Sequence, residues 1–343
     1  MASVRPSLRA LEDFIEEAFE FGKQAFNARA SSTALRLGLG WFRFAESHPL
    51  LLDDTVFCLG TTDVTPKEMA LGCIYADYSG WHIHRGFSDM VQRPESQIMI
   101  DDYLARKGWC AAFNPERNTW DLFDRNIGFG LRLLPSEAHQ AVWEPTAPLA
   151  HFCKWMAEAQ GLTMVHAAAV AHGKVGALIV GPGGAGKSGT VLAAMAGGLS
   201  SVGDDYVLID GSSVQATYCT VKQGQAGMDR LGLTAMVAPN WQNKFVFRPE
   251  DVIGLPIQRH AMCHAVLVPQ IGADKTTVSR IDGAVAFKII TFSTLRQLGS
   301  GYGLVFQRCG DLIRSLPSFQ LHLSSEPQEI AKALEQFFET LAC

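Results

Sequence analysis

A chain of 343 residues with 48% hydrophobic and 18% charged residues is long enough to bury one large core or two smaller ones. Its net charge of −5 and the lack of a basic run point away from nucleic acid and from anionic membrane surfaces, and no apolar run reaches the roughly 20 residues that a membrane helix needs. The eight cysteines (Cys58, Cys73, Cys110, Cys153, Cys219, Cys263, Cys309 and Cys343) are scattered without CxxC spacing among mostly apolar neighbours, which points to reduced thiols rather than a disulfide framework or a zinc site.

Residues 6–29 repeat Leu8, Leu11, Phe14, Ile15, Ala18 and Phe19 at helical spacing, which predicts an amphipathic helix packed on the body of the protein or on a partner subunit, as in a homo-oligomer. Glu12, Asp13, Glu16 and Glu17 in that stretch are unlike the basic start of a secretory leader, so a cytoplasmic location is expected. From residue 50 to 146, short apolar runs broken by Gly, Pro, Asn and Asp predict strands at 55–59, 71–75, 80–84, 119–123 and 130–134, with a turn at 114–118. Residues 1–146 therefore read as a β-rich N-terminal substrate or accessory domain. His82 and His84 would share one strand face, but no third metal ligand lies nearby, and a solvent-facing polar stripe explains them better.

Pro145 and Pro148 mark a boundary, and residues 147–343 read as a second domain that opens with a helix over 149–160. Strands are predicted at 165–171 and 175–180, with only His172, Gly173 and Lys174 at the turn, so an antiparallel hairpin is expected. Further strands are predicted at 206–210 and 263–269. A terminal amphipathic helix over 329–341 uses Ile330, Leu334, Phe337, Phe338 and Leu341.

Directly after the strand at 175–180 comes Gly181-Pro182-Gly183-Gly184-Ala185-Gly186-Lys187-Ser188, and a helix is predicted from Ser188 to Ala196. This is a complete phosphate-binding loop in the strand-loop-helix setting it requires. Glycines let successive N–H groups curl around an anionic oxygen, and the helix N-terminus adds partial positive charge. Gly181, Gly183, Gly184, Ala185, Gly186, Lys187, Ser188 and Gly189 are the candidate nucleotide-binding residues, with Lys187 reaching the β and γ phosphates and the Ser188 hydroxyl binding Mg²⁺.

Phosphoryl transfer also needs a metal-binding carboxylate and a group that orients or deprotonates the acceptor. Asp204 and Asp205 supply both at the entrance of the strand at 206–210, one for Mg²⁺ and the other for the acceptor proton. A lone histidine in an apolar strand, such as His166, is more often a satisfied core residue.

The run VHAAAV, the short hairpin, GPGGAGKS and then GDDYVLI together resemble the C-terminal catalytic domain of HPr kinase/phosphorylase and the related serine kinases, which share their core with ATP-dependent phosphoenolpyruvate carboxykinases. The match is clear over 163–210, and weaker likeness extends through Ala265 to Pro269, Ser293 to Gln297 and Leu312 to Pro317. The resemblance implies an α/β fold with a mixed sheet around the loop. It implies ATP and Mg²⁺ as the bound species and Lys187 as the phosphate clamp. Ser188 and Asp204 would be the metal ligands, Asp205 the general base, and His166 a residue at the active-site edge. Exchange of the two aspartate roles stays open. The implied acceptor is a serine of a protein or precursor peptide. Gly189 departs from the acidic residue usual after the loop serine in HPr enzymes, and no arginine-bearing loop for the reverse reaction is found, so HPr itself and phosphorylase activity are not expected.

Two other functions remain open: a small-molecule hydroxyl kinase, and a nucleotide-binding regulatory protein without turnover. Asn243-Lys244 starts a guanine-reading motif, but Val246 stands where its aspartate is required. Lys222, Arg230, Lys244, Arg259 and Arg280 could contact phosphate or substrate, although most such cations are ordinary surface charges, and Arg259 beside His260 is the first to test. Dinucleotide G-x-G-x-x-G, G-x-S-x-G and zinc-protease patterns do not occur.

Overall fold

Leu11, Phe14, Ile15, Ala18, Phe19 and Phe26 form the buried stripe of helix α1 (Leu8–Asn27) in the computed structural model of the chain. The structure describes residues 8–27, 33–46, 49–62, 70–75, 94–114, 116–134, 141–234, 237–298 and 302–342. Two compact units divide the chain. The first comprises Met1–Arg36, Gly40–Val56 and Thr61–Ala159; the second comprises Leu37–Leu39, Phe57–Gly60 and Gln160–Cys343.

The first unit holds a six-stranded sheet in the order β1 (Thr33–Leu37), β2 (Gly40–Glu46), β3 (Ala70–Tyr75), β6 (Phe129–Leu134), β5 (Thr119–Asp124) and β4 (Trp109–Asn114). The pairs β2–β3 and β3–β6 are parallel, whereas β4, β5 and β6 form an antiparallel meander. Helices α3 (Pro94–Ala105) and α4 (Ala150–Ala159) accompany it, and α2 (Pro49–Leu59) begins in this unit and ends in the second. Phe14 meets Trp120 at 5.2 Å between ring centroids, in a core shared with Phe129 and Leu131.

Two sequence expectations change here. Residues 55–59 lie in helix α2, not in a strand. Pro49 opens that helix at a position where a missing N–H costs nothing, and the helical context overrides the β preference of Thr55 and Val56. The helix expected to lead into the second domain instead packs in the first unit, where Trp155 stacks on Phe123 at 6.2 Å and His151 Nδ1 lies 2.8 Å from Asp121 Oδ2. The unit thus mixes helices with its sheet. The expected strand at 80–84, with His82 and His84, lies outside the described residues.

The second unit is built on a nine-stranded mixed sheet. Its main path runs β10 (Ser200–Gly203), β8 (Ala167–His172), β9 (Val175–Val180), β15 (His260–Ile271), β12 (Ser213–Ala216), β11 (Val207–Asp210) and β7 (Thr163–Val165). Strand β17 (Ser318–Leu323) pairs with β15 and with β16 (Thr277–Arg280), and β13 (Val221–Gly224) pairs with β14 (Lys244–Phe247) in a separate ribbon. The expected hairpin is present: β8 and β9 are antiparallel, with His172 opposite Val175. Strands β9, β15 and β17 run parallel, so their carboxyl ends lie along one edge.

Helices α5 (Lys187–Ala196), α6 (Gln225–Leu231), α7 (Pro249–Val252), α8 (Gly283–Leu298), α9 (Tyr302–Ser315) and α10 (Pro327–Ala342) complete the unit. Leu192 and Met195 of α5 are buried in the core beside Leu334 and Phe338 of α10, each contributing about 2 kcal/mol by area removed from water. The fold class is therefore α/β with a large mixed sheet. No helix of the described residues is long and apolar enough to cross a membrane.

Candidate active site

The phosphate loop joins the carboxyl end of β9 to the N-terminus of α5, where unpaired N–H groups and the helix dipole favour an anion. Gly186 caps α5 with φ of 105°, a conformation that calls for glycine, and a Cβ there would lie 2.7 Å from Leu323 Cδ1, so that side chain would have to move. Gly183 and Gly184 face open space, where a Cβ on either would meet nothing within 4 Å. Lys187 is only 6% exposed and donates to the carbonyls of Gly181 at 2.7 Å and Pro182 at 3.3 Å. Burial pulls its ammonium below the usual lysine range, against the opposing pull of Asp204 and Asp205.

Ser188, the next residue, donates its hydroxyl to Asp204 Oδ1 at 2.9 Å. The second oxygen of Asp204 accepts the Lys222 backbone N–H at 3.1 Å. Burial, and then the neighbouring charge of Asp205, push the Asp204 carboxyl above its usual range, and these two hydrogen bonds only partly offset the rise. A buried carboxylate of this kind gains from a cation. Serine hydroxyl and carboxylate are hard oxygen donors, and Mg²⁺ takes one or two such protein groups and fills its remaining positions with phosphate oxygens and water. The pair therefore fits Mg²⁺. Among the described residues, no cluster of three or more His, Cys, Asp or Glu offers a self-sufficient metal cage.

Asp205 occupies the turn between β10 and β11 with φ of 70°, a left-handed conformation that Asp tolerates better than most residues. That backbone sends adjacent carboxylates to different partners. Asp205 Oδ2 lies 2.6 Å from Lys222 Nζ, and its Oδ1 lies 3.2 Å from His166 Nε2. Burial opposes ionisation of Asp205, but Lys222 and then His166 outweigh it and hold the carboxyl well below the ordinary range.

His166 falls at the break between β7 and β8, not within one continuous strand as the sequence suggested. Strand β7 pairs with β11 while β8 pairs with β9 and β10, so the chain changes neighbours at this residue. Freed from the ladder, its backbone N–H donates to Thr294 Oγ1 at 3.0 Å. Its Nδ1 makes a short hydrogen bond with Ser293, whose hydroxyl also reaches the Gly181 carbonyl at 3.2 Å. Helix α8 thus ties the histidine to the phosphate loop.

These groups meet at a cleft of about 450 Å³ whose walls include His166, Gly186, Lys187, Ser188, Asp205 and Lys222. Arg230 and Lys244 line it too, and neither side chain has an ion pair among the described residues. Of the five cations considered from sequence, Lys222, Arg230 and Lys244 reach the cleft. Arg259 does not line it but approaches Gly60, and Arg280 stacks over Phe319 at 5.6 Å. Arg259, singled out for testing, thus stands away from the cleft: adjacency to a core strand says nothing about which sheet edge a side chain faces. Lys222 as the partner of Asp205, and Ser293 and Thr294 as the partners of His166, had no local signal, since each lies far along the chain from the residue it contacts.

No protein-family model matches the chain, and no curated protein sequence matches it. Among solved structures, the HPr(Ser) kinase/phosphatase from Coxiella burnetii is similar over 53% of this chain and 99% of its own, with 11% identity and a TM-score of 0.27. A likeness at that score leaves the chemistry to be argued from this chain's own residues.

Proposed function

We propose that this chain is an ATP- and Mg²⁺-dependent kinase that transfers the γ-phosphoryl group to a hydroxyl, with a serine of a protein or precursor peptide as the acceptor. The observation that carries the proposal is the continuous set of contacts at the loop: Ser188 to Asp204, Lys222 to both aspartates, Asp205 to His166, and His166 through Ser293 to Gly181. A loop that merely bound phosphate would need none of the contacts beyond Ser188.

In this reading the loop amides and Lys187 bind the phosphates, and Lys187 leaves the Gly181 and Pro182 carbonyls to do so. Ser188 and Asp204 would hold Mg²⁺, which supplies charge neutralisation on the phosphate oxygens. Asp205 is better suited than Asp204 to the acceptor. It lines the cleft, whereas Asp204 is 2% exposed and is not among the lining residues. A carboxylate held so strongly ionised is a weak base, but transfer through a loose transition state needs the acceptor hydroxyl aimed more than deprotonated early. Asp205 accordingly orients the hydroxyl by accepting its hydrogen bond and takes the proton late.

The test is transfer from γ-labelled ATP to serine peptides and to small hydroxyl compounds, read by mass, with Lys187→Ala as the control. Label on peptide serine in the native protein only supports the proposal. Transfer by Lys187→Ala at the native rate would sink it.

A further inference from the structure

Three parallel strands, β9, β15 and β17, end along one edge of the second sheet, and in such sheets ligands settle outside the carboxyl ends of the strands. The first of these ends carries the phosphate loop. The other two carry Ile271 and Leu323, which stand directly opposite each other in the β15–β17 pairing. Both lie against the loop: a side-chain carbon on Gly186 would meet Leu323 at 2.7 Å and Ile271 at 3.2 Å. Pro327 and Ile330, at the start of α10, line the same cleft. Leu323 is packed, and Ile271 is 63% exposed and lines the cleft, so it leaves an apolar side chain open to a ligand beside the loop.

We infer that Ile271 and Leu323 form the seat of the nucleotide's base, and that this seat holds a purine by apolar contact with little discrimination between adenine and guanine. The inference rests on the nucleotide-binding reading above. Reading a base edge requires a positioned polar side chain that is left unpaired by the wrong base. The two serines that directly follow Leu323 and line the cleft are already committed. The Ser324 hydroxyl bonds Thr276 Oγ1 at 3.0 Å, and Ser325 donates to Glu326 at 3.2 Å. Across the cleft, Gln223 accepts the Gly224 N–H at 2.9 Å and Gln225 donates to Asp229 at 2.7 Å. Among the described residues that line the cleft, no carboxylate stands at the Ile271 end to pair with the guanine N–H groups.

The experiment measures binding of Mg-ATP, Mg-GTP and Mg-tripolyphosphate to the full chain and to its Ile271→Ser variant, whose exposed position keeps the fold intact. For the native chain, ATP and GTP should bind within about 3-fold of each other and tripolyphosphate about 10-fold or more weaker. Ile271→Ser should weaken both nucleotides about 5-fold while leaving tripolyphosphate within about 2-fold. Unchanged nucleotide affinity in Ile271→Ser, or a preference for one purine beyond about 30-fold, overturns the inference while the kinase reading stands. A native chain that binds tripolyphosphate as tightly as ATP also overturns it. A native chain that binds none of the three removes the nucleotide-binding reading and this inference with it.

Discussion

Lys222 holds Asp205 through its side chain, at 2.6 Å between Nζ and Oδ2, while its backbone N–H holds Asp204 at 3.1 Å. One residue of β13 therefore fixes both members of the acidic pair. The backbone contact survives any substitution except proline, so the side-chain contact can be removed alone. Lys222→Met should raise the Asp205 carboxyl toward the ordinary range, because the cation that favours the ionised form is gone. The acid limb of the kcat/KM profile then moves to higher pH, and kcat falls about 10-fold. A pH-rate profile on the variant checks this, and an acid limb that stays in place contradicts the assignment of Asp205.

Ser293 has one hydroxyl hydrogen and two acceptors within reach, the Gly181 carbonyl and His166 Nδ1. Whichever it serves, its oxygen fixes the imidazole that faces Asp205. Ser293→Ala should reduce kcat about 10-fold while ADP affinity stays within about 3-fold, the pattern of a group that positions a reacting side chain. Ser293→Thr should recover most of the rate. Equal losses in affinity and rate would mean that the serine only supports the loop.

Gly186→Ala places a side chain at φ of 105° and against Leu323 Cδ1. Strain of about 1–3 kcal/mol is expected, concentrated at the N-terminus of α5. Calorimetric titration with Mg-ADP should show affinity reduced at least about 10-fold, since the same residue sets the aim of the loop amides.

In the first unit, Asp121 accepts from Arg132 at 2.6 Å and 2.9 Å, and His151 lies 2.8 Å away. Burial opposes ionisation of Asp121, but the Arg132 guanidinium and then His151 outweigh it and hold the carboxyl far below the usual range. A depressed carboxyl contributes stability that is present above the ordinary carboxylate range and lost as pH falls below it. Asp121→Asn should therefore cost about 3 kcal/mol at neutral pH and progressively less in acid. Thermal unfolding of both proteins between neutral and acid pH measures the convergence.

The legible parts of the sequence were those with local periodicity or local chemistry. The stripe of α1, the β8–β9 hairpin and the loop with its helix could each be recognised within a short window. Thr55 and Val56 misled because β-branched residues inside an apolar run satisfy both helix and strand patterns, and the tie is broken by Pro49 and by packing. Asp204 and Asp205 were legible as a pair, but their different partners follow from the left-handed turn at Asp205, which no spacing rule announces. Lys222 and Ser293 lie 17 and 127 residues from their partners Asp205 and His166, and only the folded sheet and α8 bring them together.

The most direct test of the central claim uses Asp205→Asn, which keeps the side-chain shape and removes the charge. With Mg²⁺, γ-labelled ATP and a serine peptide, the native chain is predicted to move label to the serine. Asp205→Asn is predicted to bind ATP with near-native affinity and to transfer label at least about 100-fold more slowly. Transfer by the variant at the native rate, or a native chain that binds ATP yet phosphorylates no hydroxyl, would contradict the account.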